Sequence, residues 1–206
     1  IIMENTDYYK RTEKKLDATK RRMYLLDALA GLFIAIGTFA LATTLFAVLE
    51  HFGNFPSAVR LIFYGMIWLS LIVPFGIFSI PPLLKLLGIS NGIQFDELAL
   101  RIGFYYPDVQ DKLSNSLQLV ARSKSLEGIS RSLIEASFQD AYKVSEGKDF
   151  NVIIDKKKTR RSLFYMIAAL LLTVVIFATS SNSLFSAINR IQDWGTSYTP
   201  PPPYSL

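Results

Sequence analysis

The sequence predicts an all-α integral membrane protein: three transmembrane helices, a helical cytoplasmic subdomain between spans two and three, and an extended proline-rich outer tail. Three observations predict it. Half of the 206 residues are hydrophobic, more than an ordinary soluble domain carries. These residues are gathered into runs. Ala28–Leu49 is 22 residues without a charge, Leu61–Leu84 is 24, and Ser162–Asn189 is 28. A spanning helix needs about 20 such residues, and none of the runs alternates polar with apolar as a barrel strand would. The third observation is the distribution of Lys and Arg. Seven precede the first run, one (Arg60) lies between the first two, thirteen lie from Lys85 to Arg161, and one (Arg190) follows the third. That asymmetry is the positive-inside pattern. It places the N-terminus and the long loop in the cytoplasm, and the Glu50–Arg60 loop and C-terminus outside.

In order, residues 1–27 form a basic cytoplasmic N-terminal helix and 28–50 the first span. Residues 51–60 form a short outer loop and 61–84 the second span. Residues 85–161 form the helical cytoplasmic subdomain, 162–180 the third span, and 181–206 a periplasmic interfacial helix and polyproline tail. Ile1 and Ile2 precede Met3, the expected start. The first run is too long for a signal peptide and lacks a cleavage site, so it reads as a retained anchor. With no cysteine there is no disulfide framework or thiol chemistry. The net charge of +5 follows membrane topology and does not point to nucleic acid: ten acidic residues lie between Asp96 and Asp155, as in a folded subdomain.

Within span one, Ala28, Gly31, Ala35, Thr38 and Ala42 recur at spacings of three and four. Small residues let helix backbones approach closely in lipid. The stripe packs on this chain's own spans or on another subunit. Span two carries Pro74, a candidate kink.

The long loop predicts three short helices. Phe95, Leu98, Ala99 and Ile102 make one stripe, which Gly103 ends, and Tyr105-Tyr106-Pro107 leads into the next. Val109, Leu113, Leu117 and Val120 make the second. Ser123-Lys124-Ser125 is a polar break before a third, from Leu126 to about Val144, with Ile134, Phe138, Ala141 and Tyr142 on its apolar side. Three short helices bury little area. The second and third stripes are therefore expected to face a partner protein; the alternative is a self-contained mini-domain. Lys156, Lys157, Lys158, Arg160 and Arg161 lie directly before span three, where anionic lipid headgroups are expected. After it, Leu184, Phe185, Ile188 and Ile191 suggest an interfacial helix. Pro200 to Pro203 impose a semi-rigid extended segment, expected to lead into a longer protein.

Candidate chemistry is sparse. The single histidine, His51, reads as a solvated interfacial residue and cannot supply paired haem or metal ligands. No phosphate-binding loop, nucleophile elbow or HExxH pair is present. The expectation is therefore no enzyme, no cofactor and no small-molecule substrate. The partners expected are the bilayer and other membrane subunits.

The stretch from Phe95 to Leu119, FDELALRIGFYYPDVQDKLSNSLQL, resembles a phrase of the form AxxIGxxFPEVxDKLLNxLQL. It is similar to the large bacterial membrane proteins of domain-of-unknown-function (DUF) family 4175. That resemblance implies two spans, a helical cytoplasmic segment, a third span and a proline-rich lead into a periplasmic part. The tail, Ala187 to Arg190 followed by Thr199 to Ser205, is similar too; Tyr106-Pro107 stands where Phe-Pro is usual. No activity comes with the family.

The leading expectation is a non-catalytic structural or interaction protein of a bacterial cytoplasmic membrane. It would be the anchor of a longer protein or an accessory subunit of a complex. The alternative is a component of a transport or channel assembly, for which the spans offer Thr38, Thr43, Thr44, Ser70 and Thr173.

Overall fold

The computed structural model describes residues 7–125, 131–180 and 182–196. These form α1 (Asp7–Gly53), α2 (Ser57–Phe78), α3 (Ile80–Leu86), α4 (Phe95–Gly103), α5 (Pro107–Ser125), α6 (Arg131–Ser145), α7 (Lys156–Thr179) and α8 (Asn182–Gln192), with a 3-10 turn at Phe150–Ile153. Three helices, α1, α2 and α7, are long and apolar enough to cross a membrane. The fold is all-α among the described residues. The polyproline segment and the start of the predicted third loop helix, 126–130, lie outside them.

The chain divides into two compact units: Ile1–Leu26 with Leu83–Lys156, and Asp27–Pro82 with Lys157–Leu206. Helix α1 contributes its first part to one and the rest to the other, since no Gly or Pro interrupts it before Gly31.

In the first unit, α4, α5 and α6 pack with the start of α1 and the 3-10 turn. Leu16 of α1 joins Leu98, Ala99, Ile102, Val109, Leu113 and Phe150 in one core cluster. Val120, Ile134 and Phe138 form a second, flanked by Tyr8 and Tyr9. Gly103 ends α4 and Pro107 opens α5, as expected. A proline at the first helical position costs nothing, because that N–H has no intrahelical acceptor. Gly103 also has a packing reason: a Cβ there would lie 2.4 Å from Cβ of Gln110. Ser123 to Ser125 continue α5 and do not break it. Asp149 caps the 3-10 turn, accepting from the Asn151 backbone N–H at 3.0 Å. That bond, the Asn151 side-chain amide and nearby Arg22 and Lys156 hold its carboxyl below the usual range.

In the second unit, the expected 61–84 span is not one helix. Helix α2 ends at Phe78 and α3 starts at Ile80. Pro81 and Pro82 lack an N–H and crowd the carbonyls four residues back, at Ile77 and Phe78. The break therefore falls at Ser79, whereas Pro74 stays inside α2. Helix α7 begins at Lys156, six residues before the predicted span. Helix α8 covers the apolar stripe that follows the third long helix. Its apolar side packs on protein: Leu184, Ala187 and Ile191 are buried, while Phe185 stays exposed against Phe177, ring centroids 5.2 Å apart.

Candidate functional site

The small residues of span one lie on two opposite faces of α1. At 100° per residue, Ala28, Gly31, Ala35, Thr38 and Ala42 fall on one side and Ala30, Gly37, Ala40, Thr44 and Ala47 on the other. The first face meets the α2–α3 break. A Cβ on Gly31 would lie 2.5 Å from the Phe78 carbonyl carbon, so only glycine admits that backbone. Ser79 Oγ donates to the Ala28 carbonyl at 3.2 Å, and Thr38 Oγ1 donates to the Ser70 carbonyl at 3.0 Å. Ala28 and Ala35 are buried; Thr38 and Ala42 are partly so. The second face meets α7. A Cβ on Gly37 would lie 2.6 Å from the Tyr165 ring, and the Thr44 hydroxyl donates to that of Thr173 at 2.9 Å. From Gly37 to Ala47 this second stripe repeats the three-and-four spacing of the first, and Ala30 stands seven residues, two turns, before it.

At the Glu50 end of the spans, three charges far apart in sequence converge. Glu50 is fully buried, Arg60 is 3% exposed, and Arg60 Nε donates to Glu50 Oε1 at 3.1 Å. Arg190 of α8 brings its Nε to 3.6 Å from the same oxygen and donates through Nη1 to Asn54 Oδ1 at 2.8 Å. Glu50 Oε2 accepts the Phe55 backbone N–H at 3.3 Å, and Arg60 also reaches the Thr196 carbonyl. Asn54, at φ 43°, occupies the left-handed region that asparagine tolerates, and its N–H closes α1 onto the Glu50 carbonyl at 3.0 Å. The cluster ties the end of α1, the start of α2 and the end of α8 together. In the sequence Arg60 and Arg190 are the single cations between the first two apolar runs and after the third, and that isolation is the one signal it carries.

Next to α8, a cavity of about 320 Å³ is lined by Phe39, Thr43, Trp68, Ile188 and Gln192. Thr43 is the exception among the span threonines: its hydroxyl is buried without a hydrogen-bond partner, whereas Thr38, Thr44 and Thr173 bond to backbone carbonyls.

At the other end, the basic cluster occupies the first turns of α7. Lys158 pairs with Asp27 at 3.1 Å, which turns that cation toward α1. Arg160 and Arg161 are exposed. With Lys157 they line an open groove of about 750 Å³ that continues along Phe164, Ile167 and Ala168.

The residues expected to face a partner are placed differently. Val109 and Leu113 are fully buried, Val120, Ile134 and Phe138 nearly so, and Leu117 packs against both clusters. Tyr142 is partly buried beside Tyr8, ring centroids 5.6 Å apart. These side chains cover one another and α1 completes the cover: Tyr9 meets Phe138 edge-on at 5.0 Å, and Lys15 Nζ donates to the Ser145 carbonyl at 2.7 Å. The basic N-terminal helix is thus a member of the subdomain core. The apolar side chains that the unit leaves open include Leu100, Phe104 and Tyr105.

Among the described residues no three His, Asp or Glu side chains are grouped so as to hold a metal ion. No protein-family model, curated protein or solved structure matches this chain.

Proposed function

We propose that this chain is a non-catalytic membrane anchor and scaffold of a bacterial cytoplasmic membrane. It carries a helical domain on the cytoplasmic side and leads, through its proline-rich tail, toward a periplasmic part. It acts as an accessory subunit of a membrane complex or as the front part of a longer protein, in keeping with the resemblance to DUF family 4175. The charge asymmetry across the spans supports this orientation.

The observation that carries the scaffold reading over the transport reading is the fate of the span hydroxyls. A conduction path needs polar groups free to replace water around a solute. Four of the five candidates spend their hydroxyls inside the fold: Thr38 on the Ser70 carbonyl, Ser70 on the Ile67 carbonyl, Thr44 on Thr173, and Thr173 on the Ala169 carbonyl. Thr38 and Thr44 bond across to neighbouring helices, and Ser70 and Thr173 fold back onto their own, so these four donors are spent within the protein.

The test is purification from native membranes in mild detergent, followed by reconstitution. The scaffold reading expects a stoichiometric protein companion, and solute flux in proteoliposomes no greater than in protein-free ones. A chain that purifies alone and conducts would reverse the assignment.

A further inference from the structure

The first turns of α7 carry cations and an apolar wall on one face, in the order in which a phospholipid presents its headgroup and chains. Around the helix, Lys157, Arg160, Arg161, Phe164, Ile167 and Ala168 fall within a single sector. The opposite side carries the residues that pack inward: Ser162 and Ala169 are buried, and Lys158 is engaged by Asp27. Arg160 and Arg161 are exposed, and Phe164, one turn further along, is 74% exposed beside the same groove.

We propose that this groove binds one anionic phospholipid, with its phosphate on Arg160 and Arg161 and an acyl chain along Phe164, Ile167 and Ala168. The proposal rests on reading α7 as a membrane span. Two guanidiniums offer planar donor forks suited to phosphate oxygens, and Lys157 adds a third positive charge at the groove. The apolar wall continues from the cations into the span. A soluble anion or an acidic peptide would use the charge and leave that wall bare; a lipid uses both. The groove also has a fixed edge. The Tyr165 ring, which stands beside it, is seated over Gly37 of α1, where a Cβ would come within 2.6 Å. The seam between α1 and α7 therefore positions the wall on which the chain lies.

The experiment uses the full chain in detergent, titrated with phosphatidylglycerol or phosphatidylcholine and read by native mass spectrometry. The wild type should retain one phosphatidylglycerol in preference to phosphatidylcholine. Arg160→Gln with Arg161→Gln should weaken retention about thirtyfold, since each cation near a lipid surface is worth about fivefold. Lys10→Gln with Lys14→Gln removes the same charge elsewhere on the chain and should change little. Phe164→Ala, which alters no charge, should also weaken retention. Equal loss from both charge pairs would show diffuse attraction and overturn the site; so would equal retention of the two lipids, or full retention in Phe164→Ala. Carbonate extraction of native membranes distinguishes the underlying reading: a chain released by carbonate fails as a span whatever lipid it holds.

Discussion

At the scale of single residues, Glu50 is the most consequential side chain in the spans. It accepts from Arg60 and a backbone N–H with no exposure of its own, while Arg190 approaches the same oxygen. Removing one member of a buried pair leaves the other charge unpaired, at a cost of about 3–5 kcal/mol. Glu50→Ala should therefore lower the thermal midpoint of the detergent-solubilised protein by many degrees. Glu97→Ala, which breaks an exposed pair with Arg101 at 2.8 Å, should shift it little, because surface pairs contribute about 0–1 kcal/mol. A scanning-fluorimetry result with the two substitutions equal would mean that the Glu50 cluster is solvated. This cluster was not legible in the sequence. Arg60 lies ten residues from Glu50, but Arg190 enters only through the folding of α8, and no local pattern joins them. Asp149, in contrast, was open to a local reading, since its cap partner Asn151 is two residues away.

At the scale of elements, glycines separate contact from composition. Gly31 and Gly37 lie where a Cβ would collide with α2 backbone and with the Tyr165 ring, whereas Gly65 and Gly76 of α2 have open space around them. Gly31→Ala and Gly37→Ala should destabilise, the first more, because backbone cannot swing aside as a side chain can. Gly65→Ala and Gly76→Ala should be neutral, or stabilising by about 0.5–1 kcal/mol, since alanine is the better helix former. Detergent stability measured for all four decides it; uniform effects would remove both seams. One seam was legible as a three-and-four repeat; the second carries that repeat only from Gly37 to Ala47, on the opposite face. The helix is interrupted at Ser79 while Pro74 stays inside α2, because two adjacent prolines near a helix end outweigh one within it. The loop helices were legible in position but not in the direction they face. Their stripes look unpartnered only while α1 is left out of the core. Leu16, 1% exposed, lies in the core that those stripes build. Leu16→Ala should cost about 2–5 kcal/mol and make residues 83–156 protease-sensitive in the intact chain. Unchanged digestion would put α1 back outside that core.

At the scale of the whole molecule, the account is of an anchor: apolar spans joined by small-residue contacts, and a helical unit built from the N-terminal helix together with the loop between spans two and three. The three helices long and apolar enough to cross a membrane were legible because length and hydropathy are summed over many residues, so errors of a few positions at α2 and α7 do not change their number. Orientation rests on charge asymmetry alone, and it is the claim to test most directly. The chain has no cysteine, so one introduced thiol is a unique reporter. Ser57→Cys stands exposed at the start of α2 and Ser90→Cys exposed after α3. With a membrane-impermeant maleimide on intact spheroplasts, the account predicts labelling of Ser57→Cys at once, and of Ser90→Cys only after the membrane is permeabilised. Labelling of Ser90→Cys in intact spheroplasts, with Ser57→Cys protected, would contradict it.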